Sequence, residues 1–128
     1  MVTSPPGLLA FDHLHIYVPN RANVESWYRE VLGFRRVVEY EPWAADGGPL
    51  FLRNAEGNLN IALFERTPQI CRSTLAFRVT APVFLEWKTH LLKTLNAPPV
   101  LEDHEISWSL YFYDPDGNPF EITTYEYE

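Results

Sequence analysis

Trp108-Ser109-Leu110-Tyr111-Phe112-Tyr113-Asp114-Pro115-Asp116-Gly117-Asn118-Pro119-Phe120-Glu121-Ile122-Thr123 is the stretch whose reading decides the fold. Alternating apolar and polar residues run into a Pro-Asp-Gly turn, and a second alternating run leaves it, which is the pattern of a β-hairpin. On the outgoing arm Phe120 and Ile122 share one face, and Glu121 and Thr123 share the other. On the incoming arm Leu110 and Phe112 form the apolar face, opposite Ser109, Tyr111 and Tyr113. A four-residue loop at 114–117 would pair Tyr113 with Asn118 and set Tyr111 opposite Phe120, mixing the faces. One extra residue, most simply a bulge at Gly117, restores register and brings Tyr111 beside Glu121. A carboxylate is thereby held on a rigid strand and pointed away from the apolar layer.

Upstream, the same kind of alternation recurs at 11–18, with Leu14, Ile16 and Val18 on one face and His13, His15 and Tyr17 on the other. Asn20 is placed to cap a helix carrying Val24, Trp27, Tyr28, Val31 and Leu32, and Gly33 to end it. Short strands are predicted at about 34–40, 49–53 and 58–65, with turns at Gly47-Gly48 and 56–58. Residues 67–72 read as a linker, since Pro68 bars regular structure. The order then repeats: a strand at 74–79, a helix capped by Thr80 and carrying Phe84, Trp87, Leu91, Leu92 and Leu95, and strands at about 100–102, 107–113 and 119–125. Neither half could bury both its helix and its sheet face alone, so the two must share a core. The expectation is one α+β domain over 1–128, built of two βαβββ modules at about 9–66 and 73–126 that curl into a half-barrel cup.

Composition limits the partners. With 46% hydrophobic and 21% charged residues the chain is globular, and its net charge of −7 argues against nucleic acid or an anionic membrane surface. No apolar run approaches a membrane span, and the first residues lack a signal-peptide pattern, so a cytoplasmic protein is expected. Cys71 is the single cysteine, which leaves no internal disulfide and no Cys metal cluster, and its surroundings suggest an inert thiol. A small molecule is then the natural partner for the polar face of the cup.

At this point the chain resembles the vicinal oxygen chelate superfamily, which includes glyoxalase I, extradiol dioxygenases, fosfomycin-resistance proteins and bleomycin-binding proteins. The likeness rests on residues 11–18, on Trp27-Tyr28-Arg29-Glu30-Val31-Leu32-Gly33-Phe34, and on the run from Leu110 to Glu121 with its Asp-Pro-Asp-Gly-Asn turn. It implies paired βαβββ modules, usually in a homodimer. It also implies a divalent metal (Fe, Mn, Zn or Ni) held at four positions on the first and last strands of each module. His13 and Glu121 match two of them, whereas Thr74 and Ala62 occupy the others. His15, two residues from His13 on one strand face, is a substitute, because a His-x-His pair on a strand can reach one ion. By likeness to the extradiol enzymes, His104 and Tyr111 are acid–base or substrate-orienting residues. Arg78 is a candidate to hold a substrate carboxylate or phosphate, with Thr74 beside it. Tyr17, Trp43, Phe64 and Tyr113 are candidates for an aromatic wall. The segment 43–49 is the candidate flap, and His90 is expected to be solvated. Two functions follow from the resemblance. One is metal-assisted lyase or dioxygenase chemistry on a substrate that chelates through adjacent oxygens. The other is metal-free binding or sequestration of a small aromatic or anionic compound.

Overall fold

The computed structural model describes residues 5–67 and 73–128, so Cys71 and most of the expected linker lie outside the described residues. The first module runs β1 (Leu14–Val18), α1 (Arg21–Leu32), β2 (Arg35–Arg36), α2 (Glu41–Ala45), β3 (Leu50–Arg53) and β4 (Asn60–Glu65). The second runs β5 (Leu75–Arg78), α3 (Ala81–Thr94), β6 (Val100–Asp103), β7 (Trp108–Tyr113) and β8 (Pro119–Thr124). Each module makes its own four-stranded sheet, ordered β1-β4-β3-β2 and β5-β8-β7-β6. In both, the first strand pairs parallel with the last and the remaining pairs are antiparallel. The repeat read from the sequence is therefore the repeat of the fold.

Local chemistry sets the element ends. Asn20 accepts the Asn23 N–H through its side chain, and Gly33 turns the chain out of α1 in the left-handed region at φ 76°. Thr80 occupies the cap position of α3 without a side-chain bond. Glu126 does that work instead, accepting the Ala81 N–H at 2.9 Å and placing a carboxylate at the positive end of the helix. The β7–β8 hairpin closes as its residues demand. Asp114 accepts the Gly117 N–H at 3.0 Å, Gly117 takes φ 90°, and Tyr111 pairs with Glu121.

The apolar faces of both sheets and the inner stripes of α1 and α3 enter one cluster. It includes Ile16, Val18, Tyr28, Leu63, Leu91, Leu110, Phe120 and Ile122, all at most 2% exposed. Burial of each such side chain stabilises by about 1.5–3 kcal/mol, and both modules contribute to the one cluster. Trp27 packs on Phe112 and Phe120 of the other module, and Phe34 on Phe77. The buried Tyr28 hydroxyl donates to Asp114 Oδ2 at 2.6 Å, tying α1 to the hairpin turn.

Two expectations are corrected here. The strand expected over 34–40 is cut to two residues. After Val37 N–H pairs with the Phe51 carbonyl, Val38–Tyr40 coils into a 3-10 turn and Pro42 opens α2. A proline has no N–H for a ladder but suits the first turn of a helix. His90, expected to be solvated, is half-buried, and its Nε2 lies 2.8 Å from the Val31 carbonyl oxygen, joining α3 to α1.

Candidate functional site

The outward face of the first sheet is built by strand alternation. On β4, Ile61 and Leu63 turn into the core while Ala62 and Phe64 turn out; on β3, Phe51 turns out beside Ala62. His15 and Tyr17 of β1 lie in register with Ala62 and Phe64. Rings then fill the face. Tyr17 stacks on Phe64 at 5.5 Å, Phe64 meets His15 at 4.7 Å, and His15 stacks on His13 at 4.9 Å. His13 meets Phe51 at 5.0 Å, and Phe51 meets both Tyr40 and Trp43. Tyr40 and Trp43 stack at 4.5 Å with only 8° between their planes. Trp43 is half exposed on α2, held by a tight loop in which the Gly48 N–H donates to the Trp43 carbonyl at 2.7 Å. A Cβ on Gly48 would sit 2.7 Å from that same oxygen, so only glycine fits.

Within this wall the two histidines are coupled. Asp12 Oδ2 accepts from His13 Nδ1 at 2.7 Å, and the Nε2 atoms of His13 and His15 stand 2.9 Å apart. Ala62, at one of the ligand positions implied by the resemblance, is fully buried with Val37 and Phe51 in a small apolar cluster. Its methyl group cannot ligate, and rings cover it.

The second sheet carries the carboxylate. Glu121 on β8 accepts at Oε2 from Ser109 Oγ at 2.7 Å. Ser109 is fully buried and stands 3.1 Å from Thr123 Oγ1, whose own proton goes to the Trp108 carbonyl. Beside Glu121, the Tyr111 hydroxyl lies 2.9 Å from His104 Nε2. Burial, and after it the Glu121 charge, push the Tyr111 hydroxyl above its usual pKa, so at neutral pH it is a proton donor. His104 precedes β7 in a bend where Glu105 takes φ 72° and donates its N–H to Asp103 Oδ1. The Arg78 guanidinium lies over the Tyr125 ring at 5.4 Å. Tyr113 is exposed at the end of β7, and Thr74 is exposed just before β5.

His13, His15, Tyr17, Phe64 and Trp43 are thus gathered on the first sheet, and Glu121, Tyr111 and His104 on the second. Among the described residues no group of three or more His, Cys, Asp or Glu side chains could hold a metal ion within one chain. Sequence reasoning passed over Asp12, Phe51 and the donor role of Ser109. An Asp directly before a His-x-His pair was the available signal for the first. Ser109 was visible only as a polar residue on the Tyr111 face.

The chain can now be set beside known proteins. No curated protein sequence matches it. A lactoylglutathione lyase from Agrobacterium tumefaciens superposes with a TM-score of 0.70 at 23% identity, over 96% of this chain and 97% of that one. The fosfomycin resistance protein FosX from Listeria monocytogenes gives 0.68 at 17% identity, over 92% and 94%. Virulence protein STM3117 from Salmonella typhimurium gives 0.64 at 25% identity, over 94% and 99%. With residues 10–122 matching the family model and both modules present in their expected order, the chain belongs to the glyoxalase/bleomycin resistance protein/dioxygenase superfamily.

Proposed function

We propose that this protein binds a small, planar aromatic compound against the ring wall of the first sheet, in a pocket that a second copy closes. The observation that carries this is the unbroken run of ring contacts from Tyr17 to Trp43 on an outward face. Stacking of such rings on a flat ligand is favourable by about 0.5–1.5 kcal/mol beyond area burial. The first strand of each sheet, β1 and β5, has its second edge unpaired among the described residues, and uncovered edges invite another chain. A homodimer that sets β1 of one copy beside β5 of the other would face the His13 wall with Glu121, Tyr111, His104, Arg78, Thr74 and Tyr113 of the second copy. In that pocket Tyr111 would donate a hydrogen bond to a ligand oxygen, backed by His104, and Arg78 would hold an anionic substituent. The acidic chain and lone cysteine suit a cytoplasmic protein, and no helix among the described residues is long and apolar enough to cross a membrane.

A second reading is metal-assisted lyase or dioxygenase chemistry, favoured by the convergence of His13 Nε2 and His15 Nε2. These two histidines with Glu121 of a second copy would supply a two-His, one-carboxylate set for Fe, Mn, Zn or Ni. A metal there would polarise adjacent oxygens of a substrate. The test of the first reading is Trp fluorescence and ligand-observed NMR against a panel of aromatic acids and phenols with metal removed. Trp43→Ala should weaken binding about tenfold through lost stacking. If no aromatic probe binds wild type, or Trp43→Ala binds as well, the ring wall is not the ligand site.

A further inference from the structure

We infer that Arg21 is a positioning residue for the ring wall. From the first turn of α1 its guanidinium fixes the loop that carries Trp43, and so sets the plane against which a flat ligand lies. The inference rests on the ring wall being the binding face, and Arg21 acts there through Trp43 rather than on the ligand. The need for such an anchor begins with length. Helix α2 has five residues, Glu41–Ala45. Helices shorter than about 12–15 residues do not hold themselves in water, and the last carbonyls of any helix lack partners within it. Trp43 sits in the middle of α2, 49% exposed, with its ring stacked on Tyr40 and set edge-on to Phe51. Its ring is therefore only as well placed as the short helix beneath it.

Three hydrogen bonds hold that helix end. Arg21 Nη1 donates to the Gly48 carbonyl at 2.6 Å, and Nη2 donates to the Ala44 carbonyl at 3.3 Å. One planar guanidinium thus closes the end of α2 and the loop after it together, a fork that a lysine ammonium cannot reproduce. Positive charge at the C-terminal end of a helix is favourable in its own right. The Gly48 N–H returns to the Trp43 carbonyl at 2.7 Å, so the residue that Arg21 grips is itself bonded to Trp43. The anchor is firm in turn. The Arg21 backbone N–H donates to Glu65 Oε2 at 2.9 Å, at the end of β4, and Asn20 caps the helix that Arg21 begins. Hydrogen bonds therefore lead from Glu65 through Arg21 and Gly48 to Trp43. Arg36 meets α2 at its other end, on the Glu41 side chain, and leaves the Trp43 loop to Arg21.

The experiment takes the full chain labelled with fluorotryptophan and reads it by fluorine NMR, the Trp43 resonance being assigned by its loss in Trp43→Phe. Arg21→Met removes the guanidinium and keeps the apolar stem. It should move the Trp43 resonance toward its position in the unfolded chain, while those of Trp27, Trp87 and Trp108 stay in place. Arg21→Lys should move it less. Arg21→Gln, which also lacks the charge and the fork, replaces Arg21→Met if that variant fails to fold. With naphthol as the planar probe, Arg21→Met should weaken binding about fivefold and Arg21→Lys about twofold. On a Trp43→Ala background, Arg21→Met should weaken binding by less than about twofold more, because both substitutions act on one contact. An unmoved Trp43 resonance in Arg21→Met would overturn the proposal. So would movement of all four Trp resonances together, which would make Arg21 a prop of the whole module. Losses that multiply to about fiftyfold in the double variant would equally defeat it. If naphthol does not bind wild type, the ring wall loses its ligand, and the Trp43 resonance still decides whether Arg21 positions that ring. The two proposals therefore fail separately.

Discussion

Asp116 sits in the turn between β7 and β8 with its Oδ2 atom buried and without a hydrogen-bond partner. Burial, and after it the neighbouring Asp114 charge, hold its carboxyl above the usual pKa. A raised carboxyl favours the folded state while it is protonated. That contribution is whole below the ordinary carboxylate value and is lost as pH rises through the raised one. At neutral pH the charge is therefore a cost. Asp116→Asn should stabilise the protein by about 0.5–1 kcal/mol at pH 7, with the gain closing by about pH 3. Denaturation midpoints at the two pH values check this, and a wild type at least as stable as the variant at pH 7 would refute it. Asp114 in the same turn is a different case, because it accepts from Asp116 N–H, Asn118 N–H, the Asn118 side chain and the Tyr28 hydroxyl. The pairing of Tyr111 with Glu121 was legible from alternation plus one bulge. The Tyr28 hydroxyl on Asp114 was not, because Tyr28 lies 86 residues away in sequence.

At the scale of elements, Arg36 clamps the short β2 to both helices of its module. Its guanidinium donates twice to Glu25 of α1, at 2.7 Å each, and once to Glu41 of α2 at 3.3 Å. The hydrogen bonds from Arg36 hold the Glu25 carboxyl below the usual range. A lowered carboxyl stabilises above its unfolded value, and that stabilisation is lost as pH falls through the folded one. Arg36→Ala should cost about 0.5–1 kcal/mol at pH 7, discounted for solvent screening, and almost nothing at a pH low enough to protonate Glu25 in the folded protein. A cost that is equal at both pH values would show that Arg36 acts through its aliphatic stem rather than its charge. The same segment is where pattern and structure part. Residues 34–40 alternate passably for a strand, but the pair Glu41-Pro42 favours a helix start. The chain takes the helix and so raises Trp43 over the ring wall.

For the whole molecule, the β1 and β5 edges and the outward ring wall are surfaces that a second copy would cover. Light scattering at micromolar concentration should report a homodimer. The melting temperature should rise with protein concentration by a few degrees between about 1 and 100 μM, as linkage to association requires. A monomer with a flat melting temperature would remove the second copy from the proposed pocket. The sequence by itself determined the two βαβββ modules, their shared core and which residues of β1 and β8 turn outward. Each of these follows from local periodicity and capping, which act within a few residues. Only the tertiary structure decided which polar residues stand together. His13 and His15 couple on one sheet while Glu121 rests on Ser109 in the other, and Ala62 is sealed beneath rings. Strand order and ring packing bring together residues far apart in the chain, and periodicity along a single strand carries no information about its neighbours across the sheet.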